Sequence, residues 1–170
     1  MPYDAKAIAN HFISLAHAKG ENLTQMKLQK LVYFAHGWTL GIVSSPLIDE
    51  LVQAWSYGPV IFSLYKEFRE FGSDPITRTA RILQLWDDDG GPLSEPKMCE
   101  PIVDDKEERR FLDKIWETYG KYTPTQLTNM THADGTPWHK VYMSYNGKLP
   151  KYTIIPQDLI RDYFSSKCAT

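Results

Sequence analysis

The segment Gln25 to Val43 constrains this chain more than any other, because it is helical in pattern yet apolar on almost every side. Its main stripe is Leu28, Leu31, Val32, Ala35, Trp38 and Ile42, and Tyr33, Phe34 and Leu40 widen it beyond one face. A helix of that kind has to be covered from several directions, so it belongs at the centre of a fold. Leu28 to Val43 contains Lys30 and His36 and is too short to span a bilayer. Gly37 and Gly41 stand four apart, on one face, where missing side chains let a neighbouring element come close. Thr24 is placed to cap the helix start.

The remaining elements are arranged to cover it. Asp4 to Lys19 reads as a first helix with Ile8, Phe12 and Leu15 at helical spacing and Gly20 at its end. Leu51 to Tyr57 is a short strand-like run ended by Gly58-Pro59. Pro59 can open a third helix to about Phe71, with Val60, Leu64, Tyr65 and Phe68 inward and Gly72 as terminator. Residues 73–103 are the least regular part; Ala80 to Trp86 can form a second strand, paired with the first. Asp104 to Tyr119 reads as a helix whose acidic start suits the helix dipole, with Phe111, Leu112, Ile115, Trp116 and Tyr119 inward. Thr123-Pro124-Thr125-Gln126 has capping-box form and starts a short helix to about Thr131. His132 to Pro137 is a loop, Trp138 opens a further short segment, and Pro156 to Phe164 is a last amphipathic helix. The expected fold is mainly α: a compact single-domain helical bundle, 1–170, around the central helix 25–43, with a small β element.

The formal net charge is −2 over 170 residues, which gives no bulk attraction for nucleic acid or an anionic membrane. The N-terminal region lacks the apolar run of a signal peptide, and Cys99 and Cys168 read as free thiols, so a cytoplasmic protein is expected. Walker A, GxGxxG, GxSxG and HExxH patterns are absent, and no cofactor is expected. The one enzyme-like cluster is His132, Asp134 and His139. These can ligate a metal or share a proton, but their spacing fits no standard ligand set, and Asp134-Gly135 also reads as a plain turn. No metal site is expected there. The acidic turn Asp87-Asp88-Asp89-Gly90-Gly91 lacks EF-hand spacing and reads as a solvated loop. His36 reads as a core or boundary histidine, and Lys27 and Lys30 as lysines snorkelling from a packed helix end. Of the many aromatic residues, Tyr57 and Trp86 flank the irregular β region and have weaker claims on the core than Trp38 or Trp116, so they are the candidate partner-binding anchors.

Three segments combine into a resemblance: Met26 to Trp38 (MKLQKLVYFAHGW), Ala54 to Val60 (AWSYGPV) followed by Leu64-Tyr65, and Tyr119-Gly120 through Leu127, Thr131-His132 and Pro137-Trp138. In order and spacing they resemble the SocA-like, or Panacea, antitoxin domain, also called the phage-associated GepA-like family. The resemblance implies a compact helical domain with a small β element, and an antitoxin role in type II toxin–antitoxin operons, often on prophages. It implies a cognate toxin as partner and, in one mode, delivery of that toxin to a Clp-type protease. It names no toxin. Two rival readings stand beside it: a prophage accessory protein that binds a host factor, and a metal-dependent hydrolase using His132, Asp134 and His139. The absence of a catalytic constellation favours a binding protein.

Overall fold

The structure, a computed structural model, describes residues 2–168. Helix α1 (Ala5–Ala18) starts at Asp4, whose side chain accepts from the Lys6 N–H at 2.8 Å, and buries Ile8, Ala9, Phe12, Ile13 and Ala16. Helix α2 spans Gln25–Val43 and is capped by Thr24, as its sequence predicts. Strands β1 (Gln53–Trp55) and β2 (Gly58–Val60) form a hairpin, followed by α3 (Phe62–Phe68) and a 3₁₀ turn, Arg69–Phe71. A second hairpin pairs β3 (Ile82–Trp86) with β4 (Pro92–Cys99). Helices α4 (Lys106–Tyr119), α5 (Pro124–His132), α6 (Pro137–Ser144) and α7 (Gln157–Cys168) complete the chain. The capping box at Thr123 and Gln126 is present with both of its reciprocal bonds. The fold is mainly α, with the predicted central helix packed against α1, α3, α4, α5, α7 and β2. Among the described residues no helix is long and apolar enough to cross a membrane.

The closest packing is that of α7 on α2, and it lies at the two glycines. A Cβ on Gly37 would clash with the Phe164 ring, and one on Gly41 would lie 2.7 Å from Phe164 Cβ and 2.8 Å from its carbonyl carbon. Phe164 is buried and edge-on to Tyr33, Phe34 and Trp38. Trp38 itself is only half-buried, and its indole N–H donates to the Tyr119 hydroxyl at 2.8 Å. Ile42, part of the expected inward stripe, is exposed, as is Val43 beside it at the end of α2. His36 is fully buried, its Nδ1 accepting a long 3.5 Å bond from the Ile48 N–H. Burial pulls its pKa down to about 4, so the imidazole is neutral.

Two expectations fail because each strand run pairs with the segment that directly follows it, in a hairpin. Pro59 does not open a helix. It sits in β2 opposite Ala54, on the free edge where a missing N–H costs no ladder bond. The strand at 82–86 does not join the first strand; it pairs with residues 92–99 across the acidic turn. In that turn Asp87 Oδ1 accepts from the N–H groups of Asp89 and Gly91, so the acidic run is a hairpin loop. The base of this outer hairpin is held by buried Asn10, which donates to the carbonyls of Ala80 and Pro101 and accepts from the Ala80 N–H at 2.7 Å.

Packing at the glycines sets a test in which two effects oppose. Helix propensity alone makes Gly41→Ala stabilising by roughly 1 kcal/mol. The clash with α7 backbone makes it destabilising, by about 1–3 kcal/mol net. Urea denaturation should show a lowered midpoint; a raised one would refute the close approach.

Candidate functional site

The motif segments converge on the β1–β2 hairpin. Gln29 and Lys30 project from α2 toward it. Gln29 Oε1 accepts from the Ile61 N–H at 2.9 Å and its amide donates to the Ile61 carbonyl at 3.0 Å, which satisfies both ends of a buried amide. Lys30 Nζ donates to the Pro59 carbonyl at 3.2 Å. The turn Ser56-Tyr57 is held from the other side, where the Trp138 indole N–H donates to the Trp55 carbonyl at 2.7 Å. Gly58 adopts φ +106°, and a Cβ there would meet Thr131 Oγ1 at 2.9 Å and Lys30 Nζ at 3.1 Å. Only glycine suits both the dihedral and the space. The glycine in the motif is therefore the lid over a buried ammonium.

Lys30 is 1% exposed, contrary to the expectation of a snorkelling lysine. Burial alone pulls its pKa down to about 7. His132, the last residue of α5, also has a lowered pKa, from burial and then the Lys30 charge, against a backbone hydrogen bond to Tyr57 that favours the protonated form. Its ring stacks on Trp138 at 3.8 Å between centroids, and Trp138 stacks on Tyr142. Asp134 is fully exposed and lies 3.4 Å from His139 Nε2, while His139 Nδ1 accepts from the Gly135 N–H. His132 thus serves a stack and His139 a turn, and no group of three or more His, Cys, Asp and Glu placed to hold a metal occurs among the described residues.

Two cavities flank the hairpin, separated by the Trp55 and Tyr65 rings, which meet edge-on at 4.7 Å and line both. The first, about 600 Å³, is walled by Met26, Tyr57, Val60 and Pro124, with Gln29 and Lys30 among its lining. The second, about 690 Å³, has Phe62, Tyr142 and Tyr152 as further aromatic walls and Lys66, Arg69, Lys148 and Lys151 around it. Tyr57 is 67% exposed at the first cavity. Trp86 is 59% exposed on the outer hairpin, beside exposed Leu83, Leu85 and Met98. The two candidate anchors therefore stand on separate hairpins. Met26 and the basic residues of the second cavity carry no sequence signal of their own; they are scattered along the chain and only the fold assembles them.

The family model described as antitoxin SocA-like, Panacea domain matches residues 28–139, more than half of the chain. The chain belongs to the SocA-like, Panacea-domain family. The matched span runs from the α2 motif through the hairpin to the His132–Trp138 stack and so contains the clamp just described. Antitoxin SocA of Caulobacter vibrioides (strain NA1000 / CB15N) is 29% identical over 161 residues, covering 95% of this chain and 82% of that protein. No solved structure matches this Panacea chain.

The buried ammonium has a measurable signature. The unfolded chain binds a proton at Lys30 up to about pH 10.5 and the folded chain only up to about 7, so stability rises with pH across that window. Lys30→Met should be more stable than the parent at pH 6 and should lack its share of the rise between pH 7 and 9.5. Guanidinium denaturation at both pH values measures it; parallel pH profiles for the two proteins would mean Lys30 is hydrated.

Proposed function

We propose that this protein is an antitoxin that neutralises a neighbour-encoded toxin by direct protein binding in a type II system, without chemically modifying it. The observation that carries the reading is family membership joined to a relative named antitoxin SocA that aligns over nearly the whole chain. The surface agrees with it. Tyr57 and Met26 stand exposed beside an apolar cavity of about 600 Å³, while the clamp beneath holds the hairpin in place. A rigid aromatic residue beside a pocket is the usual form of an interface anchor, since a few such groups carry most of the binding energy. The arrangement of His132, Asp134 and His139 supports no hydrolytic site, because the first is stacked in an aromatic layer and the others form a weak exposed pair. The cytoplasm, where a toxin and its antitoxin are made together, is the expected compartment.

Co-expression with the product of the adjacent gene tests this reading. Neutralisation should be stoichiometric and the two proteins should co-purify. Tyr57→Ala should weaken the complex by about 30-fold, the loss of an anchor worth roughly 2 kcal/mol. Trp86→Ala should leave it intact; the reverse result would move the interface to the outer hairpin. Catalytic quantities of this protein inactivating excess toxin, with a covalent change seen by mass spectrometry, would overturn the binding model. Adaptor action is a separate arm: rescue lost in cells lacking Clp protease, with binding retained, would show delivery for degradation.

A further inference from the structure

We propose that the second cavity beside the hairpin is a docking groove for an acidic, apolar-bearing segment of a protein partner; this deepens the binding reading above and rests on it. The cavity is lined by Lys66, Arg69, Lys148 and Lys151 and by no aspartate or glutamate. No ion pair among the described residues involves any of the four. Lys66 lies over the Phe62 ring at 5.2 Å, which leaves its charge unneutralised. The whole chain carries a formal charge of −2, so this excess of positive charge is local. Glu67 and Glu70 pair with Arg78 and Glu67 also with Lys6, while Glu50 accepts from the Ser63 hydroxyl and does not line the cavity. Four like charges around one cavity repel one another, and an occupant that supplies carboxylates relieves that repulsion.

The loop carrying two of these charges is ordered by its own bonds. The Gly147 N–H donates to the Tyr142 carbonyl at 2.9 Å, the Lys148 N–H to the Tyr145 carbonyl at 3.0 Å, and the Thr153 hydroxyl to the Pro150 carbonyl at 2.7 Å. Tyr152 is held at φ +63°, a conformation that costs a bulky residue energy. Its ring stands edge-on to Phe62, with centroids 5.8 Å apart, as a wall of the cavity. The strained backbone therefore carries an aromatic surface in the wall of the same cavity that the lysines line. Carboxylates meet the cations, and the apolar parts of the same segment meet Phe62, Tyr142 and Tyr152. The other cavity, with its apolar walls, lies across the Trp55–Tyr65 ridge, which suits a polypeptide that alternates acidic and apolar side chains. A nucleic acid is the poorer occupant, because it needs positive charge repeated along many phosphates, and this charge is confined to one cavity on an acidic chain.

The test uses the full chain and a fluorescein-labelled peptide that alternates glutamate with leucine and tyrosine. Its controls are the same peptide with glutamine for glutamate and a single-stranded DNA of equal charge. The acidic peptide should bind, more weakly as salt rises, and the glutamine peptide should bind at least about tenfold more weakly. Lys66→Glu with Arg69→Glu should reduce binding by at least about tenfold, and so should Lys148→Glu with Lys151→Glu on the opposite wall, so the test survives if one pair fails to fold. Lys97→Glu with Lys106→Glu, outside the cavity, should leave binding within about twofold. Absence of peptide binding, equal binding of the glutamine peptide, tighter binding of DNA, or an equal loss in the outlying pair would each overturn the proposal. The peptide titration needs no toxin, whereas toxin rescue by the unaltered protein decides the antitoxin reading, so the two fail separately.

Discussion

The structure depends on covering α2 from every side. A helix that is apolar nearly all round gains only if each face finds a partner, and each face here is met by a different device. Glycine removes side chains where α7 must come closest, so that Phe164 replaces them with one aromatic ring. Aromatic stacking of Phe34 on Tyr119, with centroids 4.2 Å apart, closes the face toward α4. The remaining face is closed by backbone, and backbone brings polar groups that need partners in the core. Gln29 and Lys30 on α2 answer the carbonyls of Pro59 and Ile61 and the Ile61 N–H.

Polar residues in this core therefore act as locating pins. Asn10 holds both ends of the outer hairpin region, as Gln29 holds the inner one. Each is an amide, able to donate and accept at once, so each satisfies a strand-like backbone without carrying charge. Lys30 is different. It makes one hydrogen bond, and its three donors and its charge are poorly served by a single carbonyl. Its burial costs stability, and the geometry gives the return: it holds the Pro59 carbonyl, just after the exposed turn that carries Tyr57.

What was legible in the sequence follows from the range of each interaction. Thr24, Thr123 and the α2 stripe act within one or two turns of chain, and the helices they announce are present at the expected places. Gly37 and Gly41 announced a close approach without naming the partner, since Phe164 lies far along the chain. Pro59 misled because its two roles, helix opener and edge-strand residue, look alike until the partner strand is known. Lys30 misled because a lysine beside a helix start is usually solvated, and only Gly58 and Thr131, brought from two other elements, enclose it. The second cavity was illegible for the same reason: Lys66, Arg69, Lys148 and Lys151 come from α3, the following 3₁₀ turn and the loop before α7.

The family motif and the exposed surface divide the work between them. Most motif residues face inward: Leu31 and Ala35 are core, Gln29 and Lys30 are clamps, and Trp138 supports the turn. Leu31 and Ala35 thus serve the core, and Gln29, Lys30 and Trp138 serve the hairpin. The residues left free by that constraint are Met26, Tyr57 and the basic cluster around the second cavity. Tyr57 sits on the turn that the clamp holds, and the loop of Lys148 and Lys151 is ordered by its own bonds. Such an arrangement lets one rigid scaffold present a surface whose chemistry is set by side chains that the core does not need. On the proposed reading, recognition of a partner rests on the charges and aromatics around two cavities, while Gln29 and Lys30 hold the hairpin that lies between them.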